Sequence, residues 1–150
     1  MKFAKKDTIM RFGKVFLALG LITGIAACTE TTTIAVPAGL STAQAFETVV
    51  FPRAIAVVVS NNCTTHGVTL REPDWQTGAN RDVAGMVAKG YSSSEIIRVN
   101  TAARKRALTR KAISYLKGRG VVPRDIASLC KFGRDEIAKG TTIGRLLKKT

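Results

Sequence analysis

Histidine is nearly missing from this 150-residue chain: His66 is the only one. A Ser-His-Asp or Cys-His relay needs an imidazole to accept the nucleophile's proton, and no nucleophile is favoured beside His66. Phosphate cradles are missing as well, since neither a P-loop nor G-x-G-x-x-G occurs. Ser128-Leu129-Cys130-Lys131 has the S-x-x-K form of penicillin-binding enzymes, but the S-D-N and K-T-G elements are absent and the chain is too short for that fold. Acids are scarce, 10 Asp and Glu against 24 Lys and Arg. The adjacent pair Asp135-Glu136 points apart on a helix, which is poor geometry for paired-carboxylate chemistry. Cys63 and His66 have ligand-like spacing, yet a tetrahedral metal site would need further ligands from elsewhere. No residue set points to catalysis, and neither a metal nor a cofactor is expected.

Long apolar runs are also few. The one near the N-terminus starts at Val15 behind Lys2, Lys5, Lys6, Arg11 and Lys14, and closes on Ile25-Ala26-Ala27-Cys28. A basic n-region, an apolar h-region and small residues at the cut describe a secretory signal. A cysteine directly after the small pair resembles the lipobox of a bacterial lipoprotein precursor. Length argues against a membrane span, because crossing about 30 Å of hydrocarbon takes roughly 20 apolar residues and Gly20, Thr23 and Gly24 interrupt this run. Ala43-Gln44-Ala45 offers a competing small-x-small site, but it lies far past the apolar run. Met10 is an alternative start that leaves the mature product unchanged.

On this reading residues 1–27 are signal, Cys28 carries lipid, and Thr29, rather than aspartate, resembles lipoproteins sent to the outer membrane. The expected location is the cell envelope, lipid-anchored and facing the periplasm. Residues 28–41, Thr-rich and broken by Pro37 and Gly39, read as a lipidated cysteine and flexible tether ahead of a domain over 42–150. With Cys28 acylated, Cys63 and Cys130 remain, and two thiols in an oxidising compartment are expected to pair. A reactive thiol or metal ligand is the alternative.

The domain reads as all-α, a small bundle of about four to five helices. Thr42 to about Ser60 supplies an apolar face, although Pro52 should kink or interrupt it and the β-branched run Ile55 to Val59 also suits a strand. Thr64 to Gly78 has loop chemistry, with Trp75, the only tryptophan, expected to pack as a lid on the core. Val83, Met86 and Val87 form a stripe ended by Gly90. Ser92 and Glu95 suggest a capping box opening a helix that runs to about Lys117 with a break near Asn100-Thr101. Pro123 suits a helix start, and Ile126, Leu129, Cys130, Gly133 and Ile137 share a face. Gly140 ends that helix, and a last short one holds Ile143, Leu146 and Leu147.

Removing residues 1–27 takes away five basic residues and one acid, so the formal charge falls from +14 to +10. The densest basic region, Ile96 to Arg124, has no acid. Arg98, Arg104, Lys105, Arg106, Arg110 and Lys111 are the candidate anionic-surface residues, ringing a helix apart from a narrow seam of Leu108, Ala112 and Tyr115. Export makes the available polyanions lipid head groups, lipopolysaccharide and cell-wall polymers rather than nucleic acid. A merely solvated face is the bland alternative.

Gly90-Tyr91-Ser92 with Glu95-Ile96, Tyr115 before Gly120-Val121, Cys130 with Gly133-Arg134 and Glu136-Ile137-Ala138, and the closing Ile143-Gly144-Arg145-Leu146-Leu147 resemble a family of small exported domains of unknown function from Rhodobacter-like alphaproteobacteria. The resemblance spans Cys63 to Leu147 and implies a secreted, mostly helical domain with a cysteine at each end. It implies no activity. Two functions follow: a membrane-anchored, non-enzymatic binding or structural envelope protein whose partner is anionic lipid, a cell-wall polymer or another envelope protein; or a small hydrolytic or cell-wall-acting enzyme using the His66/Trp75 loop.

Overall fold

The computed structural model describes residues 33–150 apart from Pro73 and Pro123. The signal, Cys28 and Met10 lie outside the described residues. Helix α1 (Thr42–Cys63) is followed by a 3-10 turn (Thr64–His66), strand β1 (Val68–Leu70), helices α2 (Trp75–Ala88), α3 (Ser93–Val99), α4 (Ala102–Gly118), α5 (Ile126–Lys139) and α6 (Thr142–Leu146), and strand β2 (Leu147–Lys149). The helical class is as expected. Among the described residues there are six helices, with a two-stranded ribbon beside them.

Helix α1 is the axis of the domain and touches every other helix and β1. Pro52 neither kinks it into two elements nor turns its second half into a strand, because Val49, Ile55, Ala56 and Val59 are all buried along it. Packing on both sides of the proline outweighs the roughly 3 kcal/mol that a missing donor and ring clash cost. By length and composition α1 would also cross a membrane, but those apolar residues are the centre of this core. Its start is a capping box: the Ser41 hydroxyl accepts from the Gln44 N–H while Gln44 Oε1 accepts from the Ser41 N–H.

The capping box expected at Ser92 is absent. Ser92 makes no side-chain cap, its hydroxyl meets Ser94, and Glu95 instead accepts from the Thr42 hydroxyl at 2.9 Å, tying α3 to the first turn of α1. The break at Asn100-Thr101 is real, with Thr101 capping the Arg104 N–H at the head of α4. Gly90 and Gly140 take φ of 92° and 60° after α2 and α5, the left-handed geometry a Cβ disfavours.

Three further expectations change. Residues from Ile34 onward are not a free tether, because Ile34 is buried, Val36 and Leu40 pack on the core, and the Tyr91 hydroxyl donates to the Leu40 carbonyl at 3.0 Å. The start of α5 is set by Asp125, whose carboxylate accepts from the Ala127 N–H, while Pro123 lies outside the described residues. The buried face of α5 is Leu129, Cys130, Phe132, Gly133 and Glu136, rotated away from Ile126, which is 38% exposed.

Leu147 belongs to β2, not to the last helix. It is fully buried and pairs with Leu70, while Thr69 faces Lys148 and Val68 faces Lys149 in an antiparallel ladder. Gly144 explains why the turn into this ribbon is so tight: a Cβ there would lie 1.9 Å from the Glu136 carbonyl oxygen. Cys63 at the end of α1 and Cys130 in α5 are joined by a disulfide, their Cα atoms 5.4 Å apart.

Candidate functional site

Helix α4 carries the dense positive charge, and its packing explains how. Leu108 is its only buried residue, with Ala112, Tyr115 and Leu116 partly buried beside it. A helix held along so thin a seam leaves the remaining circumference to solvent. Arg104 is partly covered, whereas Lys105, Arg106, Arg110 and, on α3, Arg98 are exposed. Among the described residues none of these five has a carboxylate within ion-pair range. Lys111 does not belong with them. It pairs at the surface with Glu47 of α1 and stands 5.2 Å from the Phe51 ring centroid, so its charge has an acidic partner within the domain.

The ring of cations also has an ordered side. At 100° per residue Arg106, Arg110, Ile113 and Lys117 fall within about 60° of one another, one stripe along the helix. The expected ring is therefore uneven, because residues four apart such as Arg106 and Arg110 share a face.

Beyond α4, Arg119 bonds Glu136 at 2.9 Å and lies 5.6 Å from the Tyr115 ring centroid. Tyr115 first, and Glu136 after it, push the Arg119 guanidinium further up. Glu136 is buried and also accepts from the Thr141 hydroxyl, so it joins α5 to the head of α6. Asp135 turns outward to Lys131, whose ammonium holds that carboxyl below its usual range. The two adjacent acids do point apart.

Sequence reasoning missed a second ionic cluster. Arg53, in the middle of apolar α1, bonds Asp82 of α2 at 2.6 Å and Glu72 at 3.2 Å, and Glu72 also pairs with Arg81. Arg53 and Asp82 are 4% and 3% exposed. Gly78 makes room, since a Cβ there would lie 1.9 Å from Arg53 Nη1. The available signal was an arginine set among buried aliphatics in a chain with few acids. This cluster bolts α2 to α1, and its Glu72 also lines a cleft beside Trp75.

Trp75 is 55% exposed and opens α2, so it is not a lid on the core. Asp74 caps that helix, and the Thr77 N–H and hydroxyl hold its carboxyl below the ordinary value. Trp75 borders a cleft of about 520 Å³ together with Asn61, Thr69, Arg71, Asp74 and Lys148. His66 is exposed on the 3-10 turn and does not line that cleft. No cluster of His, Cys, Asp and Glu able to hold a metal occurs among the described residues, and Cys63, bonded to Cys130, has no free thiol for one.

These features define a class: a small, basic, disulfide-stapled helical domain with one cationic face lacking acidic partners within the described residues. The chain belongs to a family of unknown function, DUF5333, which matches residues 38–148. The match runs from ahead of α1 into β2 and leaves the first 37 residues outside it. No curated protein and no solved structure matches the chain.

Proposed function

We propose that this protein is a binding protein of the bacterial envelope, acylated at Cys28, held at the outer membrane facing the periplasm, and without enzymatic activity of its own. Its domain engages an anionic partner through the α3–α4 cations. The observation that carries this is the exposed set Arg98, Lys105, Arg106 and Arg110, gathered on two consecutive helices with no acid in ion-pair range among the described residues. Charge left over after internal pairing is available to a ligand, and near an anionic surface each cation contributes about 1 kcal/mol.

Co-sedimentation with anionic vesicles and with purified cell wall tests this. Binding to at least one of them should fall as salt rises through 0.5 M, where screening is strong, and Arg106→Glu with Arg110→Glu should abolish it. Binding indifferent to salt removes the electrostatic reading. An intact mass showing an acyl-modified cysteine at the amino end supports the anchor; an unmodified one removes it. The enzymatic alternative, using His66 and Trp75, is weakened because the two do not border one cleft. His66→Ala that abolishes a deletion phenotype while leaving the fold intact would restore it.

A further inference from the structure

Four of the large apolar side chains that the domain leaves in solvent come together at one place. Val58 of α1, Ile113 of α4, Val122 of the α4–α5 connection and Ile126 of α5 are 44%, 48%, 57% and 38% exposed. All four line a groove of about 230 Å³ whose floor includes Leu116 and Leu129. Scattered exposed aliphatics need no explanation, but a contiguous set assembled from four chain segments marks a contact surface.

Charge decides what kind. Ile113 lies on the α4 stripe with Arg106, Arg110 and Lys117, and Lys117 and Arg124 line the groove itself. Arg124 takes a left-handed φ of 69°, a conformation costly for a residue with a side chain, at the groove's edge. The one acid lining it, Asp125, already caps α5 through the Ala127 N–H at 2.9 Å. Asn62, exposed on the groove, donates to the Val58 carbonyl of its own helix at 2.8 Å.

From this we infer that the groove and the adjoining α4 stripe are the surface with which the domain lies on a bilayer of anionic phospholipid. Aliphatic side chains enter the head-group boundary while Arg106, Arg110, Lys117 and Arg124 meet the phosphates. A glycan or other polar polymer would satisfy the cations and leave the aliphatics in water. A bilayer takes both. The inference rests on the envelope reading above, and narrows its anionic partner to lipid.

Hydrogen exchange on the full-length chain, reconstituted in phosphatidylcholine vesicles or in vesicles with 30% phosphatidylglycerol, tests it. Slowed exchange confined to peptides spanning 106–126, on anionic vesicles alone, is the expected result. Both vesicle types receive the same chain, so the difference between them reads docking only. Ile113→Ser with Val122→Ser, both at exposed positions, should remove the protection. Arg106→Glu with Lys117→Glu should remove it too, each cation being worth about fivefold in partitioning.

Protection elsewhere, or none on anionic vesicles while salt-sensitive wall binding persists, overturns the inference and leaves the envelope reading standing. Protection of 106–126 that grows with protein concentration without lipid assigns the groove to a second copy, and protection by an acidic peptide but not by lipid assigns it to a protein partner; either overturns the inference. Failure to bind any anionic surface removes both readings.

Discussion

At the scale of single residues, the domain depends on atoms placed where nothing larger fits. Gly144→Ala drives a methyl into the Glu136 backbone, 1.9 Å from its carbonyl oxygen, and backbone cannot swing aside. Gly133→Ala meets a Val59 methyl at 2.6 Å, a side chain that can shift. Urea denaturation should therefore rank Gly144→Ala as the more damaging, by about 1–3 kcal/mol or more. Asp82→Ala leaves Arg53 buried without its closest partner and should cost about 3–5 kcal/mol, whereas replacing Arg53, Glu72 and Asp82 together by apolar residues of similar volume should cost much less. Asp74 supplies a pH dependence. Its folded-state pKa is depressed, so its contribution is complete above the unfolded value of about 3.9 and is lost as pH falls through the lower folded one. Asp74→Asn keeps a capping oxygen but cannot titrate, and should flatten that part of the melting temperature's acid dependence.

Individual elements differ in how firmly they are held. Helix α4 buries one residue and α5 buries five, so α4 amides should exchange with solvent faster than those of α5 under native conditions, by native-state hydrogen exchange. Equal rates would mean that α4 is clamped by something beyond its seam. The legibility of the sequence divides along the same line. Gly90, Gly140 and the Asn100-Thr101 break were readable because each acts through its own backbone, and the thin seam on α4 was readable because helical spacing alone fixes it. Pro52, Trp75 and Ile34 were misread because their fates depend on partners far along the chain: core on both sides of the proline, a helix opening at Asp74, a surface waiting for Ile34. The Ser92 box failed for the same reason, Glu95 being drawn away by Thr42. Of the candidate site, the cations were legible and the groove was not, since no single segment contains Val58, Ile113, Val122 and Ile126.

For the molecule as a whole, the disulfide and the ribbon do related work. Cys63 and Cys130 are 67 residues apart, and closing so long a loop restrains the unfolded chain by about 4 kcal/mol in the chain-entropy account. Reduction with a thiol should lower the urea midpoint accordingly, and a Cys63→Ala, Cys130→Ala variant should match the reduced protein. A midpoint unmoved by reduction would count against the crosslink. The ribbon adds an ordering in time. Strand β1 has no partner, and Val59, Val68 and Gly133 lack the Leu147 side chain that completes their packing, until the chain has been made through Lys149. The ribbon therefore closes across every helix from α2 to α6, and it forms only after all of them have been made.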